Sequence, residues 1–269
     1  WVRGGSAQPF VKVKASLAQD VPVPPLKEQR RIVARIQECL SRVEEMERLQ
    51  AEVAEDAGLL DEAIINSLID EDWPEATLAE EAESIRNGWS AQQDLKGLAT
   101  GSLKLSCVHS RTIDDSDTKS VKVTARVREE FAIKEDDVFL VRGNGSAHLV
   151  GRTAIAARSN PNVIFNDLLI RIRPGQNILP TYLNLIFHSR GVRQQILEHA
   201  KTAAGIWKIN QTGLGKIRIP LPSTVSQKQF VDRATAALSG SGELTKLSDL
   251  ADFSALRNAI LRQAFAGEL

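Results

Sequence analysis

The chain has 269 residues, 42% hydrophobic and 25% charged, with 34 Lys plus Arg balanced by 34 Asp plus Glu. That composition excludes a disordered or fibrous chain and fits one large globular domain or two modest ones with a real core. A net charge of zero does not favour nucleic acid as a partner, but charge segregation can still build one basic face, and Arg142, Arg152, Arg158, Arg171 and Arg173 gather in the middle of the chain.

Residues 1–25 end in Val21-Pro22-Val23-Pro24-Pro25, prolines that stop a strand and open a helix. The predicted helix runs from about Lys27 to Leu68. Ile32, Ile36, Leu40, Val43, Met46, Leu49, Val53, Leu60 and Ile64 form one apolar stripe, opposed by Arg30, Arg35, Glu44, Glu45, Glu47, Arg48 and Glu52. Some forty residues at 1.5 Å each span roughly 60 Å, and a single-stripe helix of that length usually pairs with another helix. Trp73 to Leu221 reads as a mixed α/β domain. Its strand-like runs are Leu103–Val108, Val121–Val127, Asp137–Val141, Thr153–Ala157 and Leu168–Ile172, and its helical stretches are Leu78–Ser84 and Pro180–Ala200. Arg142-Gly143-Asn144-Gly145-Ser146 and Ser159-Asn160-Pro161-Asn162 read as turns. A second helix is predicted from Thr224 to about Phe265, its stripe including Phe230, Ala234, Leu238, Leu247, Leu256 and Ile260. Ser239-Gly240-Ser241-Gly242 should kink or break it, since each glycine costs about 1 kcal/mol against alanine.

The chain repeats itself. Val21 to Pro25 corresponds to Ile219-Pro220-Leu221-Pro222-Ser223, Gln29-Arg30 to Gln227-Lys228, and Ile32-Val33 to Phe230-Val231, about 198 positions apart. Phe10 through Leu17 corresponds loosely to Trp207 through Leu214. Two strand–proline–helix units thus bracket different material, and their helices are expected to pack antiparallel, stripe to stripe. Partner-helix packing is expected at Ile36, Leu40, Val43, Val53, Leu60, Leu247 and Leu256.

No catalytic constellation emerges. Gly213-Leu214-Gly215-Lys216 lacks the upstream glycine and the following Ser or Thr of a phosphate loop and reads as a turn into Ile217–Leu221. His109, His148, His188 and His199 have no metal-ligand spacing, and Asp114-Asp115 with Asp117 sits in a polar stretch that reads as a solvated loop. Ser110 and Ser146 have no evident triad partners. Asn160-Pro161-Asn162-Val163 begins like the adenine-methyltransferase loop but lacks its second proline and aromatic. Cys39 and Cys107 give neither a disulfide framework nor a metal site, and no apolar run reaches membrane-span length, so a reduced cytoplasm is expected, with no membrane partner. An opening at Trp1 in mid-pattern, with no signal peptide, is expected of a fragment.

Pro22-Val23-Pro24-Pro25-Leu26-Lys27-Glu28-Gln29-Arg30-Arg31-Ile32-Val33 resembles the central segment of type I restriction–modification specificity subunits, and Ile260 through Leu269 resembles the tail of that family. Between them, Asp167–Arg173, the Leu183–His199 helix and Ala203 through Asn210 resemble the second half of one target recognition domain; the second proline motif departs from the pattern at Ser223 and Val225. Members have two recognition domains, each reading half of a split DNA target, held apart by two helices that dock methyltransferase subunits.

The resemblance implies an α+β fold, one mixed α/β target recognition domain flanked by two long helices packed as an antiparallel coiled coil. Residues 1–25 would end a first recognition domain, 26–70 form the central spacer helix, 71–223 the recognition domain and 224–269 the C-terminal spacer helix. It implies a subunit without catalysis and without a cofactor of its own. S-adenosylmethionine is expected on the partner modification subunits, which methylate adenine N6. Other implied partners are double-stranded DNA, motor nuclease subunits and a second half-length chain. Arg142, Asn144, Arg152, Lys208, Lys201 and His148 are the candidate DNA contacts, because Arg pairs with guanine, Asn with adenine, and Lys with guanine or phosphate. Trp207 reads as core. Two other readings stand beside this one, a recognition region cut from a fused methyltransferase–endonuclease and a helical dimerisation scaffold.

Overall fold

The computed structural model describes residues 3–4, 10–11, 23–90, 94, 96–108, 111–145, 147–203, 205–249 and 253–267, but not the side chains of 3, 4, 10, 11, 54, 148, 203 and 240–249. The expected contacts of His148 and Leu247, and most of the Phe10–Leu17 correspondence, therefore lie outside the described residues. The chain forms two compact units, residues 1–51 with 251–269, and residues 52–250.

In chain order, β1 (Arg3–Gly4) pairs antiparallel with β2 (Phe10–Val11), and α1 runs unbroken over Leu26–Leu68. The second unit then builds β3 (Glu75–Thr77), α2 (Leu78–Glu81), β4 (Ala82–Asn87), β5 (Leu98–Leu103), β6 (Thr118–Val123), α3 (Ala125–Phe131), β7 (Ala132–Ile133), β8 (Val138–Val141) and β9 (Gly143–Asn144). It continues with β10 (Thr153–Ile155), β11 (Asn160–Ile164), β12 (Leu169–Pro174), α4 (Pro180–Ile186), α5 (Arg190–His199), β13 (Lys201–Ala203), β14 (Ile206–Lys208), α6 (Gln211–Gly215), β15 (Arg218–Pro220) and α7 (Thr224–Asp249). α8 (Phe253–Ala266) belongs to the first unit. Among the described residues no helix is long and apolar enough to cross a membrane.

One sheet, ordered β10-β8-β12-β4 and antiparallel throughout, is buried on both faces. That explains the unbroken apolar run Val138-Phe139-Leu140-Val141. Val138, Leu140, Ile170 and Ile172 face α4 and α7, joining Tyr182, Leu183, Ile186, Phe230, Ala234 and Leu238 in one core. Phe139, Val141 and Leu169 point the other way, toward Leu103, Ile133, Val163 and Phe165. Arg171 shares that second face and is almost fully buried; its guanidinium lies 5.0 Å from the Phe165 ring centroid and 3.9 Å from Asp137. The neighbouring sheet is β6-β5-β11-β7, with β5 and β11 parallel.

Five sequence expectations change. α7 is continuous through Ser239–Gly242 to Asp249; two glycines cost only about 2 kcal/mol together, too little to break a helix anchored upstream by Phe230, Ala234 and Leu238. Asn160-Pro161-Asn162 is strand, not turn, and Pro161 sits where the pairing with β7 slips between Asn160 and Ile164, a place where a missing N–H is tolerated. Gly143-Asn144 is likewise strand. The stretch expected as helix over Leu78–Ser84 turns to strand at Ala82, and that over Pro180–Ala200 divides at His188-Ser189.

The long helix also meets its neighbours differently from a single stripe. In the first unit Val43 is buried with Phe253 and Ile260, Cys39 packs against them, and Glu47 pairs with Arg257 at 2.7 Å. Ile36 and Leu40 are half-buried. In the second unit the buried positions are Ala57, Asp61 and Ile65, with Ile64 and Leu68 packed on the core. Val53, Leu60 and Leu256 are 42%, 48% and 40% exposed.

Candidate nucleic-acid interface

Three strands far apart in sequence meet in the small sheet β13-β14-β9. Gly205, at φ +77°, turns the chain between β13 and β14, a conformation glycine adopts without steric cost. Ile209 N–H donates to the Arg142 carbonyl at 2.9 Å and holds β9 alongside β14. The register sets Lys201 opposite Lys208 and Lys208 opposite Gly143; the next row is Thr202, Trp207, Asn144. Directly opposed residues share a face and successive residues alternate. Lys201 and Lys208 therefore project together on one face, both exposed. Trp207 and Asn144 project on the other, where Trp207 packs against the main core.

A cleft of about 450 Å³ receives Asn144 and Arg152. Leu105, Val108, Val141 and Leu149 give it apolar walls, and polar groups come from Ser106, which sequence reasoning missed, and Asp117, which it assigned to a solvated loop. Asp117 accepts hydrogen bonds from Ser106 Oγ and, at 2.6 Å, from Lys104 Nζ. The pairing of β5 with β6, continued by Lys104 N–H donating to the Asp117 carbonyl at 3.1 Å, brings these residues together across the sequence. Asp115 pairs with Arg158 at 2.7 Å and accepts from Asn160 at 2.9 Å; these bonds hold its carboxyl below the usual range. Cys107 lies beneath this loop, where burial and then Asp117 and Asp114 push its thiol up to about 12. It is a packing residue, not a nucleophile.

Arg142 points inward. Its Nη1 donates to the Asp167 carbonyl at 3.1 Å and its Nε is buried without a partner. Of the six sequence candidates, the structure thus gathers Lys201 and Lys208 on one face and Asn144 and Arg152 in the cleft, and it commits Arg142 largely to backbone support.

The second unit grips the last turns of α1. Asp61 pairs with Arg111, Glu62 with Arg190 at 3.0 Å, and Asn66 Oδ1 accepts from the Arg190 backbone N–H at 3.0 Å. Arg111 itself stands at φ +61°, and its carbonyl accepts from Ile155 N–H at 2.9 Å and Asn184 Nδ2 at 2.8 Å.

The sequence repeat has a structural counterpart. Gln29 Nε2 donates to the Pro24 carbonyl at 2.8 Å, and Gln227 Nε2 donates to the Pro222 carbonyl at 2.9 Å, the same bond at the same step in both helix starts. Gln227 is fully buried and does more, accepting from Leu179 N–H at 2.8 Å and donating to the Asn177 carbonyl at 2.8 Å. Phe230, Ala234 and Leu238 are buried against the mixed domain and Val231 packs partly there. Their equivalents Ile32, Ile36 and Leu40 are only half-buried, and Val33 is 52% exposed.

The fold is a mixed α/β domain joined to long helices, and it sets two exposed lysines on paired strands beside a polar cleft. Its curated homologues are type I restriction enzyme specificity subunits. Over 267 residues, 93% of this chain, it is 25% identical to the EcoKI specificity subunit of Escherichia coli (strain K12) and 27% identical to the StySPI specificity subunit of Salmonella potsdam. It spans 58% of the length of each. The HsdS subunit of Thermoanaerobacter tengcongensis has a similar fold, with a TM-score of 0.50 at 23% identity, covering 99% of this chain and 65% of that one. No family model matches the chain.

Proposed function

We propose that this chain reads a DNA sequence for a type I restriction–modification assembly and contributes no catalytic group of its own. In this reading residues 71–223 are a target recognition domain, and residues 26–70 and 224–269 are spacer helices that pack as an antiparallel coiled coil. The cleft with Asn144 and Arg152 and the strand face with Lys201 and Lys208 form the DNA side. Modification subunits carrying S-adenosylmethionine and motor nuclease subunits are the partners, in the cytoplasm.

The observation that carries the reading is the repeated helix start. Gln29 and Gln227 make the same bond to a carbonyl five residues back, yet among the described residues a mixed domain packs only over the first turns of the second copy. The first copy offers the corresponding apolar positions Ile32, Val33, Ile36 and Leu40 with far less cover. Such a face suits a second domain of the same build, from a longer chain or a second copy, which is what a split target requires. The sequence likeness over 93% of the chain to two specificity subunits supports the same reading.

Phosphate contacts make DNA affinity steeply salt-dependent. The chain is expected to bind duplex DNA with an affinity that falls sharply between 50 and 200 mM salt, on the order of tenfold for every two phosphates contacted. Salt-insensitive binding, or none, would favour the helical scaffold instead.

A further inference from the structure

Lys201 and Lys208 lie directly opposite each other on neighbouring antiparallel strands. Like charges in that position repel, and neither ammonium has a partner among the described residues. The third place in the row is Gly143, which adds no side chain; a Cβ there would come within 3.4 Å of Lys208 Cγ and 3.2 Å of the Trp207 carbonyl. Among the described residues the face is therefore open beside two ammonium groups, with the half-exposed Ile206 next to Lys208 along the same strand. Asn144, the polar residue of this sheet able to read a base edge bidentately, is in the alternate row and projects to the opposite face, into the cleft with Arg152.

We propose that the row Lys201–Lys208–Gly143 grips one phosphodiester of duplex DNA and carries no sequence information. This deepens the DNA-reading function and rests on it. Opposed residues in an antiparallel pair have Cα atoms about 5 Å apart, so two flexible ammonium groups can converge on the two free oxygens of one phosphate. A single anion removes their mutual repulsion. A base edge gives no such compensation, and one lysine suffices to read guanine. Because Lys208 and Asn144 face opposite ways, they cannot share one base pair. Lys208 is thus reassigned from the candidate base readers to the backbone grip.

The test compares the full chain with K201Q, K208Q and the double variant K201Q/K208Q on a panel of equal-length duplexes of unrelated sequence, one containing the target. Circular dichroism and thermal melting check the fold, and both positions are exposed enough for glutamine to be accommodated. The double variant should lose affinity by the same factor on every duplex, and its plot of log affinity against log salt should be shallower by about 0.9, the value for one phosphate. The preference for the target over the other duplexes should stay unchanged. A loss confined to the target, a relaxed preference, or an unchanged slope in a folded variant would overturn the grip while leaving DNA reading intact. A wild-type chain that binds none of the duplexes would overturn DNA reading and the grip with it.

Discussion

At the scale of single residues, His188 is the clearest case of environment overriding intrinsic chemistry. Burial, then the positive charges of Arg111, Arg193 and Arg152, push its imidazole down to about 3. Its Nε2 sits 3.5 Å from Thr153 Oγ1. An unfolded histidine titrates near 6.5, so between about pH 6.5 and pH 3 the unfolded chain takes up a proton that the folded chain refuses. Folded stability contributed by this residue is whole above the unfolded value and is lost as pH falls below it. The expected slope approaches 1.4 kcal/mol per pH unit within that window. Urea unfolding at pH 7, 6, 5 and 4 should show it, and His188→Gln should flatten the acid limb. An identical acid limb in the variant would assign the loss to other groups, among them the carboxylate of Asp115, whose pairing with Arg158 makes it a contributor at lower pH.

At the scale of elements, the two helix starts make a matched pair for experiment. Gln227→Ala strands the Leu179 N–H and the Asn177 and Pro222 carbonyls beside a fully buried site. A loss of about 2–4 kcal/mol is expected, as for a buried side chain whose partners are left unsatisfied. Gln29→Ala removes one half-buried bond and should cost about 0.5–1 kcal/mol. Equal costs in denaturant titrations would mean that the second start is not more deeply built in than the first.

The elements also divide sharply in how far sequence revealed them. α1 was legible because a 3.6-residue period over 43 residues leaves no other reading. β8 was legible as an apolar run and β12 from its period-2 alternation. The face that α1 buries in the second unit was not, because Asp61 lies on it paired with Arg111, fifty residues downstream. Gly143-Asn144 looked like a turn because two residues of glycine and asparagine become a strand only when β14 pairs with them. Among the candidate contacts, Lys208 could be picked out from its place before the repeated strand. Its cross-strand neighbour Lys201 gained a meaning only from the hairpin register. Ser106 gave no signal and Asp117 read only as part of a solvated loop, since the cleft they line is made by contacts distant in sequence.

At the scale of the whole molecule, the central claim is that this chain chooses a DNA sequence for enzymes that it does not itself contain. Its net charge of zero means that the choice cannot rest on a uniformly basic surface. On this account affinity draws on local arrangements such as the lysine row, and the choice of sequence on the cleft. The chain covers 58% of its curated relatives, so a split target would need the second reading surface to come from more chain or from another copy. The most direct measurement is to co-express the chain with a type I adenine methyltransferase subunit and to map methylated adenines across the host genome. The account predicts methylation at one split motif, symmetric if two copies pair and asymmetric if a longer chain supplies the other half, and its loss when the chain is omitted. Methylation that is absent, or that keeps the same motif without this chain, would contradict it.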